Sequence, residues 1–192
     1  MQLIMLFLGA MLVNNIVLTY FLGVSPYAST SDEMDYSLGI GAAVTLVLTI
    51  SSAVIFPVYN FIMLPLGIEF MYIITFILII AGITQLTEIL LRKFIPKLHK
   101  FLGIYLPLIA ANCVIFGVVL INTEFFSDSF LMTIARALGA GAGFTLVTVI
   151  LSGIKERLDH DEISPLIKGI PIAMIVTGFM SAIFFGFTGI VG

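Results

Sequence analysis

Polar residues along the 192-residue chain are few and clustered, and the stretches between them are long and continuously apolar. Six such stretches stand out, at about 3–24, 37–58, 70–91, 101–122, 130–153 and 170–190. Each offers roughly the 20 apolar residues with which a helix crosses the hydrocarbon core of a bilayer. The connections are short, which leaves no room for a separate soluble domain. The pattern therefore predicts an all-α integral membrane protein with six transmembrane helices in one membrane domain, residues 1–192. The first apolar run has no basic segment ahead of it and is followed by further spans, so it reads as a span and not as a cleaved signal peptide.

Two spans are interrupted by residues that lipid does not tolerate without reason. Gly103–Gly117, in the fourth span, carries Pro107, Asn112 and the one cysteine of the chain, Cys113. Pro107 removes a backbone donor and frees the carbonyl of Gly103, so a kink or break is expected there. Cys113 follows Lys100 by a distance of about 20 Å along a helix, well inside the bilayer. The first span contains Asn14 and Asn15 and ends in Phe21–Tyr27, where Gly23 and Pro26 read as a helix stop. The first and fourth spans are thus expected to be broken, since amides at membrane depth need partners.

An internal repeat organises the spans. Residues 38–47, LGIGAAVTLV, match residues 138–147, LGAGAGFTLV, and VNNIV at 13–17 matches ANCVI at 111–115. The second match sets Asn14 opposite Asn112 and Asn15 opposite Cys113. Each half, 1–98 and 99–192, holds three spans. An odd number inverts the second half, giving two inverted three-helix repeats with the first and fourth spans together near mid-membrane.

Composition excludes the soluble alternatives: 60% of residues are hydrophobic, 10% are charged and the mean hydropathy is +1.22. The placement of charge says more than the net −3. Arg92, Lys93, Lys97, Lys100, Lys155, Arg157 and Lys168 follow spans three and five, while Arg136 stands alone on the other side. Positive charge favours the cytoplasm, so both termini are expected outside. No nucleic-acid partner is expected. A single cysteine excludes an internal disulfide and cannot complete a metal site by itself.

The residues alone leave the chemistry open. Cys113 reads either as a ligand or as a small packing residue. Asn14, Asn15 and Asn112 either hold backbone groups freed by broken helices, or donate to an acceptor such as sulfide, or join helices. Arg136 reads as a side chain that snorkels to the interface, and Ser25 as a cap or turn hydroxyl. Gly39, Gly41, Gly139, Gly141 and Gly143 read as close helix packing rather than a phosphate loop.

VNNIVLTYFLGVSP (13–26), QLTEILLRK (85–93), LGIYLPLIAANCVIFG (102–117) and IKERL (154–158) resemble the RnfA/NqrE family over essentially the whole chain. These are membrane subunits of the ion-translocating ferredoxin:NAD oxidoreductase, Rnf, and of the sodium-pumping NADH:quinone oxidoreductase. The resemblance implies a subunit of a translocase that is not catalytic alone, in a prokaryotic inner membrane, moving sodium or protons. It implies a homologous RnfE-like partner of opposite orientation, and RnfB-, RnfC-, RnfD- and RnfG-like subunits. It further implies a two-iron two-sulfur (2Fe-2S) cluster between the homologous pair, with two cysteines from each and Cys113 as one ligand; the amides Asn14, Asn15 and Asn112 are, from their own placement, candidates to surround it. The family's other cysteine position holds Ser25 here, and an alkoxide is a harder ligand that lowers a cluster's potential. The competing readings are a stand-alone inverted-repeat secondary transporter and a structural subunit without a cluster.

Overall fold

The structure, a computed structural model, describes residues 2–23, 34–94, 112–123, 129–160 and 170–186. These residues are helical or in the turns between helices, and no strand occurs among them. The elements in order are α1 (Gln2–Leu8, continuing as a wide π turn over Gly9–Val13), α2 (Ile16–Tyr20), α3 (Met34–Val58) and α4 (Tyr72–Phe94). They are followed by α5 (Cys113–Thr123), α6 (Phe130–His160) and α7 (Ile170–Phe185). The protein is an all-α integral membrane protein, as its apolar pattern requires.

Among the described residues three helical stretches are long and apolar enough to span a bilayer: Ser37–Leu66, Glu69–Phe94 and Phe130–Leu158. The second span runs further than the pattern suggests, because the chain stays helical through Pro57. The proline removes one backbone bond, and the wider turn Tyr59–Met63 follows it, with the Asn60 amide donating to the Phe56 carbonyl at 3.2 Å. The helix stops at Gly67, whose φ of +68° admits a left-handed cap. Gly67 N–H donates to Leu64 and Ile68 N–H to Met63, the two bonds of a Schellman ending.

The centre of the fold is the crossing of α3 and α6. Ile40, Val44, Val47, Leu48 and Ile55 recur at helical spacing on α3 and are buried against Ala137, Ala140, Phe144, Val147 and Leu151 of α6. In a bilayer no hydrophobic gain separates this face from the lipid face, so close packing and hydrogen bonds decide which face is inside. The contact is reciprocal. A Cβ on Gly41 would lie 2.6 Å from the Thr145 hydroxyl, and one on Gly141 would lie 2.7 Å from the Thr45 hydroxyl. Each threonine donates to the glycine carbonyl one turn back on its own helix, Thr45 to Gly41 at 2.7 Å and Thr145 to Gly141 at 2.9 Å. The two hydroxyls meet at 3.4 Å. The matched stretches of the internal repeat thus pack on each other, and their glycines set the approach.

Around this crossing, α1 lies along α6 where Gly139 and Gly143 admit the carbonyls of Phe7 and Met11. α4 buries Phe76, Ile80, Ile83 and Thr87 and turns Ile74 and Leu78 outward to lipid. The last helix joins the first span through Ser181, whose hydroxyl donates to the Leu18 carbonyl at 2.7 Å.

Candidate functional site

The first span is broken at Asn14 and Asn15. Asn15 caps α2: its side-chain oxygen accepts from Val17 N–H at 3.1 Å. Its amide nitrogen donates back to the Met11 carbonyl at 2.9 Å, closing a backbone group that the break would leave open. Asn15 is buried, so both bonds replace ones that water would otherwise make.

The fourth span has the same device. Asn112 stands just outside α5 and its side-chain oxygen accepts from Val114 N–H at 3.0 Å. The structural mate of Asn112 is therefore Asn15, and that of Cys113 is Ile16. The pairing of Asn14 with Asn112 drawn from VNNIV and ANCVI is one position out of register with the caps. Cap geometry depends on which amide precedes the helix, which residue identities alone left ambiguous between two adjacent asparagines. α5 begins at Cys113, directly after Asn112, and Pro107 lies outside the described residues.

The two caps differ in one atom. The Asn112 side-chain nitrogen is buried and has no hydrogen-bond partner among the described residues, whereas that of Asn15 is bonded. The free donor belongs to the asparagine that precedes the thiol.

Cys113 occupies the first turn of α5 and is half-buried. Its sulfur accepts the backbone N–H of Gly23 at 3.1 Å. That contact depends on how the first span ends. After Tyr20 the chain turns through Phe21, at φ +54°, and reaches Gly23, at φ +83°. Gly23 is buried against Val114 and Phe144, and a Cβ there would fall 3.0 Å from the Phe144 ring and closer still to Val114. Leu22 packs toward Gly117, where a Cβ would lie 2.7 Å from its methyl. Small residues thus bring the end of α2 against the start of α5. The pattern FLGVSP marks Gly23 as a helix stop, but the role of its N–H as donor to the thiol has no signature in residue type.

Asn14, by contrast, is exposed and lines a separate cavity with Asn122 and Arg136. Arg136 is half-buried on α6 and lines this cavity. Ser25 lies outside the described residues. Among the described residues no three His, Cys, Asp or Glu side chains gather.

Comparison with known proteins decides the family. The model for the "Rnf-Nqr subunit, membrane protein" family matches residues 3–191. The chain belongs to the Rnf-Nqr family. It is 41% identical over 189 residues to a subunit of the Na(+)-translocating ferredoxin:NAD(+) oxidoreductase complex of Acetobacterium woodii, covering 98% of each chain. It is 43% identical over 188 residues to a subunit of the ion-translocating oxidoreductase complex of Yersinia enterocolitica, covering 98% of this chain and 97% of that one. For an Rnf-Nqr subunit the contact of Gly23 with Cys113 gains meaning, since the two residues sit in the two stretches, FLGVSP and NCVIFG, that carry the family resemblance.

A single thiol fits a shared metal centre only in part, as one ligand of several. Its surroundings fit that use: one N–H already on the sulfur, one buried amide donor on the preceding residue without an acceptor among the described residues, and the positive end of a helix.

Proposed function

We propose that this chain is the membrane subunit of an Rnf-type ion-translocating ferredoxin:NAD oxidoreductase, supplying part of an intramembrane two-iron two-sulfur site shared with a homologous partner. The observation that carries the reading is Cys113 in the first turn of α5, with the N–H of Gly23, from the end of the broken first span, on its sulfur. The relatives' names supply the reaction class.

In this reading the Cys113 thiolate holds one iron, and further ligands come from the RnfE-like partner and from the stretch containing Ser25. Such a cluster would supply one-electron transfer. Gly23 N–H donates to the sulfur and the Asn112 amide would be a second donor to the bound group; such donors raise the reduction potential by offsetting negative charge. Asn15 uses both ends of its amide on backbone and acts on the fold alone. The transported ion is sodium or a proton, the other subunits are RnfB-, RnfC-, RnfD- and RnfG-like, and both termini face the outside of the inner membrane.

Iron, acid-labile sulfide and low-temperature EPR of the purified complex containing this chain test the reading. Cys113→Ala is expected to lose the iron and sulfide of one cluster from an assembled complex. Ser25→Cys is expected to keep the iron and shift the signal. Asn112→Asp keeps the cap acceptor but loses the free donor, and is expected to lower the midpoint potential of that signal. Full iron and an unaltered spectrum in Cys113→Ala would overturn the cluster assignment.

A further inference from the structure

Among the three long spans of the described residues, the one containing α4 is the least covered: 22% of its apolar stretch is buried, against 44% and 56% for the other two. Its inward side is formed by Phe76, Ile80, Ile83, Thr84 and Thr87, which are buried where α4 meets α3 and α5. At 3.6 residues per turn the opposite side carries Leu78, Gly82, Gln85 and Ile89, all of them exposed. Their spacing of four, three and four residues is that of a seam along which two helices meet.

Two of the four are out of place against hydrocarbon. Gln85 lies about 10 Å along the helix from Arg92, at 1.5 Å per residue, and so well inside the charged end of the span. Its side chain makes no hydrogen bond with a described residue. An amide there has donors and an acceptor that lipid tails cannot satisfy, and polar side chains at such depth face a partner. Gly82 weakens a helix interior relative to alanine, yet a Cβ there would meet no neighbouring group within 4 Å. By contrast, a Cβ on Gly41, Gly139, Gly141 or Gly143 would press on another helix. A small surface and an open amide one turn apart on one stripe are the features that join transmembrane helices, where close approach and polar contacts stand in for the hydrophobic effect. The chain beyond α4 returns to Asn112, which is buried and leads into Val114 and Ile115, members of the same core as Ile80 and Ile83 on the inward side.

We infer that this stripe of α4 seats one transmembrane helix of a different subunit, packed on Gly82 and presenting a hydroxyl or amide side chain to Gln85. The inference rests on the reading of this chain as a subunit of a complex and not on the cluster.

The test is photo-cross-linking in the intact complex, with p-benzoylphenylalanine replacing Leu78, which is 73% exposed. The expected product joins this chain to a transmembrane segment of a different subunit, mapped by mass spectrometry, with a hydroxyl or amide residue about two turns from the attachment point. Gly82→Phe fills the space that the chain leaves open, and Gln85→Leu removes the amide at nearly constant size. Gly82→Phe is expected to lower recovery of that subunit with this chain about tenfold or more, and Gln85→Leu about threefold. Adducts confined to lipid, to a second copy of this chain or to residues 95–111 of the same chain would overturn the inference. So would full recovery of every subunit with Gly82→Phe. Should Gly82→Phe fail to insert, the cross-link and Gln85→Leu decide. Iron and sulfide are measured on the same samples: a complex that lacks them and still gives the cross-link counts against the cluster alone.

Discussion

Gly23 and Cys113 are 90 positions apart in the chain, and the backbone N–H of the first donates to the sulfur of the second at 3.1 Å. The contact needs Gly23 in a left-handed conformation at φ +83° and without a side chain, because Val114 and Phe144 occupy the space a Cβ would take. One glycine therefore closes the first span and equips the thiol.

Gly23→Ala should be among the costliest small substitutions in the chain. The left-handed backbone alone costs an L-residue about 1–3 kcal/mol, and the clash with Val114 adds to it. A clear fall in the melting temperature of the purified complex is expected. A variant as stable as the wild type would show that the turn is not held as described.

The two asparagine caps should respond unequally. Asn112→Ala loses a cap worth about 1 kcal/mol. Asn15→Ala loses the same cap and also leaves the Met11 carbonyl without its donor, adding about 1–3 kcal/mol. Melting temperatures of the two variants, measured side by side, should rank Asn15→Ala lower; the reverse order would contradict the bonding seen at Met11.

Reciprocity at the helix crossing gives a paired prediction. Gly41→Ala presses on Thr145 and Gly141→Ala presses on Thr45. Each should destabilise by about 1–3 kcal/mol through overpacking. Thr145→Ala should partly rescue the first and Thr45→Ala the second, with similar coupling in the two double-mutant cycles. Absence of rescue in both cycles would argue against the contact.

Loop charge predicts the orientation. With Cys113 retained, Glu69→Cys in the turn before α4 is expected to react in intact cells with a membrane-impermeant maleimide, and Lys93→Cys at the other end of α4 is not. Labelling of the second and not the first would invert the topology.

The sequence by itself determined the class of the protein and the interruption of its first span. Continuous apolar runs leave only a helical membrane protein, because hydrocarbon satisfies no backbone polar group. Asn14–Asn15 marks the interruption of the first span for the same reason, and the glycines of the repeated LG-x-GA stretches read as close helix packing, though the repeat set the first and fourth spans together and not the two helices that carry these glycines. Those signals are local: they depend on residue type and spacing. Which of two adjacent asparagines caps α2, that Asn112 keeps a free donor among the described residues while Asn15 does not, and that Arg136 lines a cavity with Asn122 were decided by tertiary structure. So was the bond from Gly23 to Cys113. Hydrogen bonds between distant segments depend on how closely backbones approach, and that distance is set by glycines and packed side chains acting together, not by any one residue's identity.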